Sequence, residues 1–373
     1  MKYIYLLFFM MVSLASNAQS SFFFVGSATD KISDPITLCS IDLSNGKLSR
    51  IQSFEGTKSS SYLCISSDKK YLYAVDGAQL DSKSKHVSVA SFEIDEKTKE
   101  LTLLNKQSVM GRGACHLSLT SDNKFLMVAN YSSGNVVVLP VDKDGSLKPI
   151  SSNKQHKGTG PDVDRQKGPH AHHIQSSKDN KYVFAVDLGI DKVMNYQLNQ
   201  KTGVLKENIN QPFLKLEGGV GPRHMIIHEN DKFAYVLNEM ASSISACTYD
   251  AAKGKFSIIE THPMLPTDFD EFSKAAAIRL HPGGRYVYGS NRGHDSIVVF
   301  EIGYDGNITK KQTMQDGIEW PRDYNIHKAG NYMIVANRNK DEIRTFSVDL
   351  NGELTMTNNT LKVTQPTSIQ FLD

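Results

Sequence analysis

The chain of 373 residues has few cysteines and no marked excess of charge of either sign. Cys39, Cys64, Cys115 and Cys247 are scattered without a Cys-x-x-Cys pair, so nothing resembles a zinc site, and buried single thiols are expected. The formal net charge is +2, and no basic block or arginine-rich stripe occurs. This composition argues against nucleic acid as a partner.

Long apolar runs are also lacking, apart from one at the N-terminus. Lys2 precedes a mostly apolar stretch from Tyr3 to Leu14, and Ser16-Asn17-Ala18 supplies small residues after it. This arrangement is typical of a signal peptide, and the run is short for a membrane anchor, which is the less favoured alternative. We therefore expect a signal peptide over residues 1–18 and one mature domain over residues 19–373. The mature protein is expected to be exported to the periplasm, without membrane attachment after cleavage.

One pattern returns along the chain with a period of about fifty residues, a spacing found in propeller repeats. A polar turn is followed by a basic or polar residue, an aromatic residue, alternating apolar residues and a final Asn or Asp, as in Ser67–Asp76 and Ser121–Asn130. The final residues of the six copies are Asp76, Asn130, Asp187, Asn238, Asn291 and Asn337. A period of this size, filled with short strands and turns, indicates a β-propeller.

The surroundings of each copy predict four strands, the last reached through a tight turn such as Asp144-Gly145. A seventh unit is split between the two ends of the chain. Phe22 to Val25 and Ile36 to Ile41 resemble a blade that lacks its first strand, and Pro366 to Phe371 resembles that strand. The sequence thus predicts an all-β, seven-bladed propeller whose ring closes by pairing the N-terminal strands with the C-terminal strand. A self-contained monomer is expected.

Residues at equal distances from the final Asn or Asp should converge near one opening of the ring. Fifteen positions before it lie His172, Arg223 and Arg322, and one position after it lie Glu239, Arg292 and Arg338. Small or apolar residues would be expected in a purely structural ring. Several arginines with a single acid instead indicate an anion-binding pocket, although salt bridges between blades are an alternative interpretation.

Histidines are concentrated just before the strand-like run Tyr182 to Val186. The segment Arg165-Gln166-Lys167-Gly168-Pro169-His170-Ala171-His172-His173 places three of them beside a Gly-Pro turn. Histidine titrates near neutral pH, so this cluster suits proton transfer or anion binding. The polar stretch Ser151 to Lys167 is predicted to form a rim loop over the pocket.

Four motifs resemble the seven-bladed lactonase family, which includes the propeller-type 6-phosphogluconolactonase and the fungal carboxy-muconate cyclase. The motifs are the segment from Arg165 to His172, Gly221-Pro222-Arg223-His224, Leu237-Asn238-Glu239 and Ser290-Asn291-Arg292-Gly293-His294-Asp295-Ser296-Ile297. The resemblance covers nearly all of the mature chain. It implies a catalytic cleft with a histidine, two arginines and a glutamate, here His172 (or His170), Arg223, Glu239 and Arg292. We expect His170, His224, Arg322 and Arg338 to contribute to substrate binding.

The resemblance implies that the enzyme hydrolyses a small acidic lactone, with no cofactor and no metal. Ring opening needs a base to activate water, stabilisation of an oxyanion and protonation of the leaving alkoxide. Glu239 or His172 could be the base, and the sequence does not decide between them. Arg223 and Arg292 could hold the oxyanion and an acidic group of the substrate.

Three other functions remain open at this stage. A muconate-type cycloisomerase would share the cleft but close the ring, and a non-catalytic propeller would bind glycans or proteins. A metal-dependent lactonase is less favoured, because the axial positions offer one glutamate rather than several oxygen ligands. Two departures from the family pattern are Ala276-Ala277-Ile278, where a carboxylate is usual, and the export signal, since 6-phosphogluconolactone is a cytoplasmic intermediate.

Overall fold

The computed structural model describes residues 20–29, 31–79 and 85–372, and β-strands account for most of this part. Its helical elements are two short 3₁₀ turns, Leu188–Ile190 and Arg338–Lys340. No helix within these ranges is long and apolar enough to cross a membrane. The expected signal peptide over residues 1–18 lies outside the described residues.

The described strands form seven antiparallel sheets, numbered here as blades from the N-terminus. Blade 1 joins the two chain ends, and blades 2 and 3 follow it in sequence. The strands of blade 1 are β1 (Ser20–Ser27), β2 (Ile36–Asp42), β3 (Leu48–Phe54) and the last strand of the chain, Pro366–Phe371. Those of blade 2 are β4 (Leu63–Ile65), β5 (Tyr71–Gln79), β6 (Val87–Ile94) and β7 (Leu101–Ser108). Those of blade 3 are β8 (Ala114–Leu119), β9 (Phe125–Asn130), β10 (Asn135–Pro140) and β11 (Ser152–Gln155).

The remaining blades repeat this plan, with one additional short strand in blade 4. Blade 4 contains β12 (Ala171–Ser176), β13 (Tyr182–Asp187), β14 (Lys192–Leu198), β15 (Leu205–Glu207) and β16 (Phe213–Lys215). Blade 5 contains β17 (Pro222–Ile227), β18 (Phe233–Asn238), β19 (Ser243–Asp250) and β20 (Lys255–Pro263). Blade 6 contains β21 (Lys274–Leu280), β22 (Tyr286–Arg292), β23 (Ser296–Ile302) and β24 (Ile308–Met314). Blade 7 contains β25 (Pro321–Ile326), β26 (Tyr332–Asn337), β27 (Glu342–Val348) and β28 (Leu354–Lys362), and Pro366–Phe371 is β29.

One strand of each blade faces the axis of the ring. Strands β4, β8, β12, β17, β21, β25 and β29 each contact the next in this order, and β29 contacts β4 again. The ring is therefore closed, and β29 supplies the axial strand that β1 to β3 lack. β29 pairs antiparallel with β1, with Phe371 opposite Phe23 and Ile369 opposite Val25. This pairing confirms both the predicted seven-bladed fold and the predicted closure.

The hydrophobic core consists of seven clusters, as far as the described residues show, and each lies between two neighbouring blades. The aromatic residue and the alternating apolar residues of each repeat supply much of this core. The cluster between blades 7 and 1 contains Phe23, Val25, Ile334 and Ile369, all fully buried. Packing against two neighbours explains why both faces of the second strands, such as Phe125–Asn130, are buried.

A hydrogen bond repeated in three places joins one blade to the hairpin of the next. The buried hydroxyls of Tyr73, Tyr235 and Tyr288 donate to the carbonyl oxygens of Gly145, Gly306 and Gly352, over 3.0, 3.2 and 2.8 Å. Gly145 has a φ of +82°, and a Cβ there would overlap the ring of Tyr71. The Asp-Gly and Asn-Gly turns thus form the predicted hairpins and also fasten the blades together.

The four cysteines are free thiols, as expected from their spacing. Cys39 and Cys247 are buried, whereas Cys64 and Cys115 are partly exposed as whole residues, although burial still raises the pKa of both of their thiols. The predicted rim loop is shorter than expected, because Ser152–Gln155 is the outer strand of blade 3. The loop proper begins after this strand and runs to β12.

Truncating a side chain in the closing strand should destabilise the protein as much as truncating any core residue. We expect Ile369→Ala to lower the free energy of unfolding by about 2–5 kcal/mol, because it leaves a cavity in the cluster between blades 7 and 1. Urea unfolding of this variant, beside Leu350→Ala as a control at a side chain 95% exposed, would measure the effect. Equally small losses of unfolding free energy in both variants would show that the closing strand contributes little to stability.

Candidate active site

An extra residue in the axial strand of several blades shapes one end of the channel. In blade 4, Ala171 pairs with Asp187 and His173 with Val186, so His172 has no partner across the ladder. The same shift leaves Cys115, Arg223, Arg322 and Thr367 unpaired in their own blades. A bulge of this kind redirects a side chain away from the regular alternation. Because each bulge lies opposite the end of the second strand, the redirected side chains belong to one level of the ring.

A pocket of about 550 Å³ opens at this level. Its charged lining residues are Arg165, Glu239, Lys274, Arg292 and Arg322. Its other large lining residues are Tyr131, His172, Phe272 and Trp320, and Cys115 also lines it. The pocket thus combines aromatic walls with several cations and one carboxylate.

The carboxylate of Glu239 lies among three guanidinium groups. Arg165 Nη2 donates to its Oε1 over 2.8 Å, while Arg223 Nε and Arg292 Nη2 donate to Oε2 over 3.1 and 2.9 Å. Glu239 directly follows β18, Arg223 is the bulge residue of β17 and Arg292 ends β22. One charge therefore ties together two adjacent blades and the loop before β12.

Backbone carbonyl groups of β21 also accept hydrogen bonds from two of these arginines. Arg292 Nη2 also donates to the carbonyl oxygen of Ala275 over 2.7 Å, and Arg223 Nη1 donates to that of Ala276. These carbonyl groups belong to the Ala-Ala-Ile region where the family pattern has a carboxylate. The arginines are held here without a second acid.

The electrostatics of the pocket favour an anion. Burial raises the pKa of Glu239, but Arg292 and Arg223 outweigh it and hold that pKa well below its ordinary value. Burial lowers the pKa of Arg223, and the nearby Arg322 and Arg292 lower it further. Within the described part of the chain, Arg322 forms no hydrogen bond or ion pair, although it lines the pocket. The cations around this pocket are therefore only partly neutralised by Glu239.

His172 presents one ring nitrogen to the pocket. Its Nδ1 lies 3.7 Å from the Cys115 sulfur, and among the described residues its Nε2 has no hydrogen-bond partner. The side chain is otherwise buried, with its ring edge-on to Tyr131 at 5.4 Å between centroids. Burial, followed by the charge of Arg223, lowers the pKa of His172 well below the usual histidine value. The imidazole is thus neutral at pH 7.

The other residues expected in substrate binding separate into three groups. Arg322 lines the pocket, as described above. His170 stacks on Tyr131 at 4.4 Å, and the ring of His224 lies 5.3 Å from that of His172, so both adjoin lining residues without forming part of the wall. Arg223 is likewise buried behind the wall, against Glu239. Arg338 lies outside the pocket, where its guanidinium donates to the side chains of Asn339 and Gln365.

Several lining residues were not singled out from the sequence. Arg165 comes from the loop before β12, and its position in the Arg-Gln-Lys-Gly-Pro-His motif could have indicated it. Tyr131 directly follows the final Asn of its repeat, the position that Glu239 and Arg292 occupy in theirs. Lys274 and Trp320 each lie two residues before the position that is fifteen residues ahead of the final Asn of their repeat. The comparison of equivalent positions therefore did not include them.

The loop that carries Arg165 is anchored by two buried carboxylates. Asp187 accepts hydrogen bonds from His156 Nδ1 at 2.6 Å and from the backbone N–H of His170 at 2.7 Å, near the two ends of the loop. Gln166 donates to Asp191 over 2.8 Å. The guanidinium of Arg165 is therefore held by an anchored loop. This loop is the part of the predicted rim segment that follows the strand Ser152–Gln155.

Comparison with known proteins identifies the family. Residues 22–371 match the family described as "Lactonase, 7-bladed beta-propeller". A Bacillus subtilis protein named 6-phosphogluconolactonase is 37% identical, over 81% of this chain and 83% of that protein. A protein of the same name from Formosa agariphila is 31% identical, over 77% and 80% of the two chains.

A solved structure agrees with this assignment. The periplasmic gluconolactonase of Pseudomonas aeruginosa superposes with a TM-score of 0.89 at 27% identity, over 95% of this chain and 99% of that one. The chain belongs to the seven-bladed β-propeller lactonase family, as its motifs indicated. It is therefore a member of a family of lactone hydrolases. Within the described ranges, no group of three or more His, Cys, Asp or Glu side chains could hold a metal ion.

Stability should fall on mild acidification, because several buried histidines are neutral in the fold. Burial lowers the pKa of His116, His172, His173 and His224, in the case of His173 to about 3. Below about pH 6.5 the unfolded chain binds protons that the folded protein does not, which costs about 1.4 kcal/mol per pH unit for each histidine. Carboxylates contribute little above pH 5, since they stay ionised in both states.

We accordingly expect the free energy of unfolding to drop steadily from pH 6.5 to pH 5. Urea titrations at several pH values would measure the slope. In His173→Leu the free energy of unfolding should change less steeply with pH, because one of the contributing histidines is absent. A free energy that is flat over this range would contradict the assignment of neutral histidines.

Proposed function

We propose that this protein hydrolyses an acidic sugar lactone, with His172 as the general base and the arginines as electrostatic stabilisers. The observation that carries the proposal is a neutral imidazole facing a pocket whose arginines exceed its acids. A lactone bearing an anionic group supplies both the missing negative charge and a carbonyl oxygen that becomes an oxyanion. The relatives named 6-phosphogluconolactonase and gluconolactonase support this substrate class.

His172 is favoured over Glu239 as the base because of their different surroundings. Glu239 accepts hydrogen bonds from three arginines, so both of its oxygens are engaged and its pKa is depressed. Taking up a proton would break these ion pairs. Glu239 is better suited to orienting Arg223 and Arg292. In the tautomer protonated on Nδ1, His172 presents an unprotonated Nε2 to the pocket at neutral pH, without an ion pair to break.

The reaction then proceeds in two proton-coupled steps. Water attacks the lactone carbonyl carbon while His172 Nε2 takes one of its protons, and the carbonyl oxygen becomes an anion stabilised by Arg223 and Arg292. The bond between that carbon and the ring oxygen then breaks, and the imidazolium returns the proton to the departing alkoxide. The product is the open-chain hydroxy acid. An imidazolium is a far stronger acid than an alcohol, so this second transfer is favourable.

Location and assembly are part of the same proposal. The N-terminal segment has the features of a signal peptide, and one related structure is a periplasmic gluconolactonase. We infer that the mature protein acts in the periplasm as a monomer on a small lactone, without nucleic acid or a membrane as partner. An exported enzyme would meet unphosphorylated as well as phosphorylated lactones, so both belong in the test.

The test is a lactone-hydrolysis assay with purified mature protein. Gluconolactone and 6-phosphogluconolactone are compared above their spontaneous rates, with Arg223→Ala, Glu239→Gln and His172→Gln as variants. Loss of an oxyanion donor should reduce turnover about 10²- to 10³-fold in Arg223→Ala. Near wild-type turnover in that variant would rule out the assigned role. An inactive wild-type protein would favour the cycloisomerase, if carboxy-muconate reacts, and otherwise a binding propeller.

Arg322 and Arg338, both predicted from the sequence to bind substrate, provide a matched comparison. Arg322 lines the pocket without a partner among the described residues, whereas Arg338 is bonded to polar side chains outside it. We expect Arg322→Ala to raise KM for an anionic lactone about tenfold or more, as loss of a charged hydrogen bond would. Arg338→Ala should leave KM within about twofold of wild type, as for surface changes away from a site. Equal effects in steady-state kinetics would show that Arg322 does not bind the substrate's charge.

A further inference from the structure

A group of aromatic rings fills the channel directly behind the pocket. His116 and His173 stack at 4.0 Å between centroids, and His224 lies 5.4 and 5.2 Å from them. The ring of Tyr62 packs against His116 at 4.4 Å. All four side chains are buried, and the proposed reaction uses none of them. The group, here called the histidine layer, consists of Tyr62, His116, His173 and His224.

One member of the histidine layer is bonded to an arginine of the candidate active site. Arg223 Nη1 lies 3.0 Å from His224 Nε2. A guanidinium can only donate, so Nε2 must be the acceptor and the ring proton must reside on Nδ1. Within the described part of the chain, His224 Nδ1 is sealed from solvent without a hydrogen-bond partner. The contact therefore requires the neutral ring in one tautomer.

We propose that His224 is a positioning residue for the proposed reaction, which holds Arg223 towards the oxyanion through a neutral hydrogen bond and fails to do so when protonated. This inference rests on the proposed function for its catalytic consequence. It also reassigns His224, which the sequence suggested as a substrate-binding residue. The tautomer itself is a property of the free protein.

The use of a neutral acceptor has a physical reason. Arg223 already shares the charge of Glu239 with Arg165 and Arg292. A carboxylate in place of His224 would orient Arg223 as well, but it would also cancel positive charge that the substrate anion needs. A histidine orients the guanidinium and leaves its charge available. Arg279, by contrast, is paired at 2.8 Å with Asp323, which follows the bulge residue of its own blade as His224 follows Arg223.

Burial opposes the protonation of His224 and lowers its pKa, and Arg223 and the neighbouring rings add to this effect. Arg223 is bonded to it from the same strand, and the rings of His172, His173 and His116 face it from the two preceding blades. Tyr62 approaches edge-on at 6.4 Å from blade 2. A proton on Nε2 would replace the hydrogen bond with a repulsion between two cations. Acidification would thus break the hydrogen bond between Arg223 and His224 while the charge of Arg223 stays the same.

His173 is a matched control within the same layer. Like His224, it is buried, carries an unpartnered Nδ1 and packs on the ring of His116. It makes no hydrogen bond to Arg223 in the described structure. Replacing either histidine by leucine therefore disturbs packing similarly, but only His224→Leu removes the acceptor.

The experiment compares His224→Leu, His224→Gln and His173→Leu by steady-state hydrolysis across pH. His224→Leu is expected to lose about 10- to 100-fold in kcat, the range for a lost hydrogen bond to a charged group, with KM changed much less. His224→Gln should recover most of kcat, since its amide oxygen can accept from Arg223. His173→Leu should keep kcat within a few-fold of wild type. Equal losses in the two leucine variants, or no recovery in His224→Gln, would overturn the proposal.

A second measurement does not depend on activity or on the leucine variants folding. Long-range ¹H–¹⁵N spectra of the wild-type protein, with the His224 signals identified by their loss in His224→Gln, report the tautomer directly. We expect the neutral form protonated on Nδ1 down to pH 5. A ring protonated on Nε2, or a charged ring at pH 7, would refute the proposal whether or not the protein hydrolyses lactones. The expected tautomer in a protein without hydrolytic activity would support the hydrogen bond and reject the proposed function.

Discussion

One extra residue in the axial strand of a blade determines what this propeller presents to its ligand. A regular strand alternates its side chains between the two faces of the sheet, so a channel lined by regular strands offers no site of its own. The bulge leaves one side chain outside that alternation, and its repetition at the same level turns Cys115, His172, Arg223 and Arg322 into one group. The final Asn or Asp of each repeat lies directly beside this level and is fully buried there.

The electrostatic consequence is a pocket that is pre-organised but incompletely neutralised. Burying several arginines without acids would be costly, and Glu239 offsets part of that cost by accepting from three of them. The carbonyl oxygens of Ala275 and Ala276 orient the arginines further without adding negative charge. What remains is positive potential around Arg322, which a substrate anion can satisfy. In the proposed reaction, specificity for acidic ligands and stabilisation of an oxyanion would then have the same origin.

The fold was predictable from the sequence because its signal is repeated. Six copies of the pattern and a split seventh predict the blades and their closure, and small local deviations do not disturb the count. The alignment of the copies also found four of the residues that line the pocket: His172, Glu239, Arg292 and Arg322. It failed for Arg165, since a side chain on a loop between blades has no fixed distance from the repeat. It also placed Arg338 beside Arg292 by position, whereas the 3₁₀ turn Arg338–Lys340 carries that side chain out of the pocket.

Charge is distributed differently at the pocket and at the histidine layer behind it. At the mouth, cations exceed acids, whereas at the level of the histidine layer Arg279 and Asp323 cancel each other and the histidine rings are neutral. A charged residue in place of His224 would repel Arg223 or neutralise it, and an apolar residue would remove one acceptor of the Arg223 guanidinium. Neutral histidine can accept a hydrogen bond and fill the space as a ring. A histidine at this position would also make the site sensitive to acid, because a protonated His224 would repel Arg223 instead of accepting its hydrogen bond.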